Sequence, residues 1–215
     1  MNKRCYMCDA DATSKEHVPP RCIFPRSSEY RKELLCVPSC DEHNGKKSKD
    51  DEYLRHILSS APATNDLALL VSKEGNIPAW DRRPHLLNSF LPDLSLVDTG
   101  QFETASFTID LKRFEASLSS MVRALYFSKF KEKLTKDINV IWGALLVTDM
   151  SEAPYLDLTK EWEAKIKDPY EGSNKEVFKY SFTSSVSGGL CRLCFYEGIP
   201  IYTTWFNPNQ HNENQ

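Results

Sequence analysis

Two short spacings near the N-terminus constrain this chain more than any other feature: Cys5-Tyr-Met-Cys8 and Cys40-Asp-Glu-His43. Two ligands three positions apart can meet one tetrahedral ion from a tight turn, and a C-x2-C turn facing a C-x2-H turn makes a Cys3His set, a common structural zinc arrangement. Five of the seven cysteines and three of the five histidines lie before residue 60. A unit of that length has few core residues of its own, whereas structural zinc contributes an apparent ~10–16 kcal/mol. The spacing therefore predicts a small unit stapled by metal; the bland alternative is four unrelated polar or core residues. Cys36 is the rival fourth ligand, but within Leu34-Leu35-Cys36-Val37 it reads as a buried strand thiol, and Cys22, before Ile23-Phe24, reads as core. A second C-x2-C pair, Cys191 and Cys194, falls in an apparent strand. Residues three apart on a strand point to opposite faces, so this pair reads as structural.

Composition excludes more than it identifies. The chain of 215 residues is 40% hydrophobic and 27% charged, ordinary for a globular protein. Its formal charge of −3 argues against a globally basic nucleic-acid binder and leaves local patches open. No apolar run approaches the roughly 20 residues of a membrane span, and the opening MNKRCYMCDA has no apolar stretch behind its basic residues, unlike a secretory signal. The expectation is a cytoplasmic protein with no membrane contact, its cysteines used for metal or core rather than for disulfides.

Beyond residue 60, the stretch from 61 to 100 carries scattered prolines and no sustained period, and reads as a linker with short elements. Residues 102–110, FETASFTID, alternate as a strand does. Leu111, Phe114, Leu118, Met121, Val122, Leu125 and Leu134 then recur at helical spacing and predict a long helix. Further strands are predicted at about 138–148, 177–183, 190–196 and 201–206, with Gly188-Gly189 and Glu197-Gly198 turning a small antiparallel meander. The tail NPNQHNENQ reads as frayed.

Between the two knuckles lies Glu16-His17-Val18-Pro19-Pro20. A histidine near its free pKa suits proton removal from water at neutral pH, and an adjacent carboxylate can hold a hard cation. On its own the dipeptide is equally a surface loop. In order, however, C-x2-C, then Glu-His with prolines, then a short strand, then Cys40-Asp-Glu-His43-Asn44 followed by Lys47-Ser48 resembles the HNH nucleases, whose fold is the ββα-metal or His-Me finger. The resemblance covers residues 3–57. It implies that Cys5, Cys8, Cys40 and His43 bind structural zinc, that His17 is the general base, and that Glu16 and Asn44 hold a catalytic Mg²⁺ or Mn²⁺. This sequence departs from the family pattern twice: Leu35 stands where a loop-steadying Asn is usual, so another group must orient His17, and Glu16 stands for the commoner Asp.

The resulting expectation is an α+β protein: a zinc-stapled ββα-metal module over 1–60, a linker over 61–100, a mixed α/β domain over 101–207 with a long helix and a small antiparallel sheet, and a disordered tail over 208–215. The implied activity is endonucleolytic hydrolysis of nucleic acid, DNA first, with a role in bacterial anti-phage defence as one setting and a protein partner for the C-terminal domain as another expectation. Lys46, Lys47 and Lys49 are candidates for phosphate contact. So are Lys129, Lys131 and Lys133, in a segment (111–136) where seven basic residues face two acidic ones; solubility and the helix dipole explain that segment as well. Asp50, Asp51 and Glu52 read either as an added cation ligand or as a solvated charged face. The alternative to a nuclease is a zinc-stapled module that binds nucleic acid or a partner without cutting. A thiol redox role lacks the strand-then-helix setting its motif needs.

Overall fold

A computed structural model describes residues 3–27, 29–45, 47–61, 64–98, 103–141, 160–164 and 166–207. The chain begins with two short antiparallel strands, β1 (Ser14–His17) and β2 (Cys36–Ser39), in the register Ser14↔Ser39 to His17↔Cys36. Backbone bonds from Thr13 N to Ser39 O (3.0 Å) and Val18 N to Leu35 O (2.9 Å) extend the ladder at both ends. Helix α1 (Ser48–Ser60) follows, its buried side chains Tyr53, Leu54, Ile57 and Leu58 recurring at the spacing that gathers one helical face.

The stretch from 61 to 100, expected to carry short elements, is built largely of short helical ones. It comprises α2 (Asp66–Val71), a π-helical turn over Ser72–Asn76, α3 (Ile77–Arg82) and α4 (His85–Phe90). Asn65 caps α2 by accepting from Leu67 N at 3.1 Å, and Ala68, Val71 and Asn76 are buried against the layer that contains α1. Short elements with little periodicity pack here because helix α1 supplies the rest of the core. Strands β3 (Ser95–Asp98) and β4 (Glu103–Ser106) form a second two-stranded antiparallel sheet, shorter than the 102–110 expectation.

Helix α5 (Leu111–Phe130) is the long predicted helix. Asp110 caps it by accepting from Arg113 N at 3.1 Å, and it ends at Lys131 in the left-handed conformation (φ 61°), four residues before the periodicity does. Leu134 is buried nonetheless, its segment held by the Arg123 guanidinium, which donates to the carbonyls of Leu134 and Lys136. Strands β5 (Asn139–Ile141), β6 (Phe178–Ser185), β7 (Gly188–Phe195) and β8 (Ile199–Phe206) form an antiparallel sheet of order β5-β8-β7-β6. Only 139–141 of the strand expected at 138–148 belongs to the described residues, and the tail from 208 lies outside them. Gly188 turns the β6–β7 hairpin at φ +153°; a Cβ there would come within 2.1 Å of Trp205 O, and one on Gly189 within 2.1 Å of the Trp205 ring.

One apolar core cluster runs through these parts. Helix α5 contacts α1, β2 and β5, while its Tyr126 and Phe130 meet Phe182 and Trp205 of the four-stranded sheet edge-on. Tyr196, fully buried, donates from its hydroxyl to Ile23 O at 2.7 Å, and Asn65 N donates to Tyr196 O at 3.1 Å. The sheet is thus bonded to the segment leading out of β1. No helix among the described residues is long and apolar enough to cross a membrane.

Candidate metal centre and adjoining cleft

Local turns make the ligand set. In the first knuckle, Met7 N donates to Cys5 Sγ at 3.5 Å and Cys5 N to Ala10 O at 2.9 Å, and Tyr6 N pins the turn to β2 through Pro38 O (2.9 Å). In the second, the amides of His43 and Asn44 both donate to Cys40 O, at 3.1 and 2.9 Å. Thr13 Oγ1 donates to Asp41 Oδ1 at 2.6 Å and ties this turn to β1. The hairpin thereby brings Cys5, Cys8, Cys40 and His43 together, with all four ligand atoms within 4.8 Å of one another. Cys8 Sγ and Cys40 Sγ are 3.7 Å apart, Cys5 Sγ and His43 Nδ1 3.7 Å, and Cys40 Sγ and His43 Nδ1 3.2 Å. A tetrahedron with metal–sulfur bonds of about 2.3 Å has edges of about 3.7 Å, so the group could hold one metal ion and is compatible with structural zinc. Burial raises the Cys5 thiol, but hydrogen bonds at the backbone of Met7, Cys8 and Cys40 outweigh it and bring the thiol down to about 6, a thiolate at neutral pH. His43 belongs to this set, as the spacing predicts.

Of the other two N-terminal cysteines, only Cys36 departs from the expectation of a buried thiol; Cys22 packs against the core. Cys36 is exposed on β2, because the residues that β2 turns inward are Val37 and Ser39. Cys22 is half-buried beside α1, where its thiol donates to Asp51 O at 3.3 Å. Cys191 and Cys194 are buried in β7, in keeping with a structural role.

Asn44 begins where the knuckle ends. Its Nδ2 donates to Ser14 Oγ (2.8 Å) and Lys15 O (3.4 Å) on β1, which leaves Oδ1, the amide atom able to ligate a cation, without a protein donor among the described residues. It lines a cleft of about 450 Å³ with Glu16, His17, Arg21, Cys22, Ser48, Asp51, Glu52 and Arg55. Adjacent strand residues point to opposite faces, yet Glu16 and His17 share this cleft because β1 ends at His17. Burial and the Arg21 charge lower the His17 pKa below its ordinary 6.5, so the ring is neutral at pH 7. Among the described residues no hydrogen bond holds that ring. The backbone pairing of Val18 with Leu35 steadies the chain beside it.

Glu16 is buried, its Oε1 accepting from Lys47 Nζ at 2.5 Å and from Tyr6 OH at 3.3 Å. Among the described residues its Oε2 is buried with no partner, and so is Oδ1 of Asp51. Burial pushes the Asp51 carboxyl up to about 6; Lys47 pulls against this, and the like charges of Glu16 and Asp50 add to it. Asp51 is therefore a member of the cleft rather than of a solvated face. Its neighbours are ion-paired: Asp50 accepts from Arg113 Nε at 2.6 Å, and Glu52, which also lines the cleft, accepts from Arg55 at 3.1 Å.

The candidate phosphate contacts do not converge. Lys47 is engaged by Glu16, Lys49 is exposed outside the cleft lining, and Lys46 lies outside the described residues. Lys129 is ion-paired with Glu171, and Lys131 folds back to donate to Ser128 O at 2.6 Å. Lys133 Nζ donates to Cys8 O and Asp9 Oδ1, both at 2.7 Å, so it anchors the first knuckle to the end of α5. None of these three lines the cleft. No family model, curated protein or solved structure matches this chain.

Proposed function

We propose that the chain is a metal-dependent nuclease of the HNH type, with a ββα-metal module formed by β1, β2 and α1 and a structural zinc ion held by Cys5, Cys8, Cys40 and His43. The observation that carries the reading is the pair of buried carboxylate oxygens without donors, Glu16 Oε2 and Asp51 Oδ1, in one cleft with His17 and Asn44. Buried polar atoms are nearly always partnered, and a buried carboxylate oxygen is costly unless a donor or a cation supplies the missing partner. Glu16, Asp51 and Asn44 Oδ1 form an all-oxygen set suited to Mg²⁺ or Mn²⁺. A cation so bound would neutralise charge building on a scissile phosphate and its departing 3′ oxygen.

The chain's own groups do the remaining work. His17, neutral at pH 7, accepts the proton of the attacking water. Tyr6 and Lys47 fix Glu16 Oε1, and the Asn44 Nδ2 bonds to β1 aim its carbonyl oxygen. Hydrolysis in this sense leaves 5′-phosphate and 3′-hydroxyl ends. Plasmid DNA incubated with purified protein and Mg²⁺ or Mn²⁺, with and without chelator, tests the reading. Metal-dependent nicking that falls at least 100-fold in His17→Ala is expected, and cutting that survives both chelator and the substitution refutes it.

A second reading, a zinc-stapled binding module that does not cut, is favoured by the ion pair between Lys47 and Glu16, which occupies one ligand oxygen. Metal-independent DNA binding with no cleavage under any divalent cation distinguishes it.

A further inference from the structure

Beside the His17 cleft lies a second cavity, of about 350 Å³, lined by Arg21, Cys22, Phe24, Arg26, Arg31, Arg55, Val71, Glu74 and Gly75. Arg21, Cys22 and Arg55 line both cavities, so the two adjoin. Four guanidinium groups face one carboxylate there, in a chain whose formal charge is −3. Two of the five charges are committed: Arg55 donates to Asn76 Oδ1 (2.8 Å) and Glu52 Oε1 (3.1 Å), and Glu74 accepts from the Arg26 backbone amide at 2.6 Å. Arg31 uses NH2 on Phe24 O (2.9 Å), while its Nε is buried with no partner. The side chains of Arg21 and Arg26 are exposed and take no hydrogen bond among the described residues.

Like charges crowded at a cavity, one of them with a buried orphan donor, repel unless an anion sits among them. Burial, and then Arg21 and Arg26, press the Arg31 pKa down, as this crowding requires. Guanidinium forks match phosphate oxygens bidentately. From this geometry we propose that Arg21, Arg26 and Arg31 form a phosphodiester-binding cleft, which seats the backbone of a nucleic-acid strand one or two phosphates away from the bond facing His17. The site deepens the nuclease reading and rests on it for the identity of the strand. It replaces Lys129, Lys131 and Lys133 as the nucleic-acid path.

The test is binding of a fluorescently labelled duplex of about 20 base pairs, followed by anisotropy across a salt series in chelator, beside plasmid nicking in Mg²⁺ or Mn²⁺. The proteins are wild type, the double variant Arg21→Gln/Arg26→Gln, Arg31→Gln, and Arg83→Gln as an exposed control that lines neither cavity. Each phosphate contact contributes roughly 0.9 to the slope of log K against log salt, or about tenfold in affinity near 0.1 M. The double variant should therefore bind about 100-fold more weakly, with a slope smaller by about 1.8 and an unchanged thermal midpoint, and Arg83→Gln should behave as wild type. Wild-type affinity and slope in a folded double variant overturn the cleft while leaving the nuclease reading intact. Loss of binding in the double variant of a protein that never nicks supports the cleft and removes hydrolysis. A wild type that binds no duplex overturns the cleft.

Discussion

His56 provides the sharpest physical test of the fold around the cleft. It lies on α1, fully buried, with its ring stacked 4.4 Å from Phe90 and 5.3 Å from Trp80. The Arg55 guanidinium lies 3.4 Å from Nε2, and Nδ1 is buried without a partner. Burial first, and the Arg55 charge second, lower its pKa from 6.5 to about 3. The folded form therefore binds the proton far more weakly than the unfolded chain does. Above pH 6.5 the group has no effect; as pH falls below 6.5 the unfolded state alone gains a proton, so stability is lost at about 1.4 kcal/mol per unit, reaching about 2 kcal/mol at pH 5 and a ceiling near 5 kcal/mol once the folded value is passed. Asp51 titrates in part of the same window with the opposite sign, since its folded carboxyl is raised to about 6. The quantity to read is thus the difference between wild type and His56→Phe, which keeps the stacking and removes the titration. Urea unfolding at pH 7, 6 and 5, at constant ionic strength, should show the variant gaining about 2 kcal/mol on wild type between pH 7 and pH 5. A difference that stays constant within about 0.5 kcal/mol refutes the buried, neutral His56 and with it the packing of α3 and α4 on α1.

Metal analysis of purified protein should find one zinc per chain, and Cys8→Ser should lose it together with cooperative unfolding, because the zinc contributes on the order of 10 kcal/mol, comparable with the whole stability of a domain. Asp51→Asn should leave stability at pH 8 undiminished, since it removes a buried charge, while reducing metal-dependent nicking at least tenfold; equal nicking would remove Asp51 from the cation set. Tyr196→Phe, which deletes the bond to Ile23 O, should cost about 1–2 kcal/mol in urea unfolding because that carbonyl is left buried without its donor.

What the sequence settled by itself is local. The two knuckles are legible because ligation from a turn needs only residue type and a three-residue spacing, and Cys5, Cys8, Cys40 and His43 meet both conditions. Helix α5 and the meander of β6, β7 and β8 are legible because their apolar periods run for several turns or residues. The candidate cleft is legible only where its members are sequence neighbours of those turns: Glu16 and His17 at the end of β1, and Asn44 one residue past the knuckle.

Tertiary structure decided everything that depends on which surface meets which. Successive residues on α1 are rotated by about 100°, so Asp50, Asp51 and Glu52 point three ways, and composition cannot say which of them reach the cleft and which are neutralised by a neighbour. The neighbours decide: Arg113 of α5 takes Asp50, Arg55 takes Glu52, and Asp51 is left beside Glu16. Lys133 looked like part of a basic path and became the anchor of the first knuckle, because α5 ends next to Cys8 and Asp9. Arg21, Arg26 and Arg31 form no motif in the sequence, and only the folding of the segment between β1 and β2 against α1 and the π-helical turn gathers them around one cavity. Spacing encodes contacts made within a turn; contacts between turns are set by packing, which no short window of sequence contains.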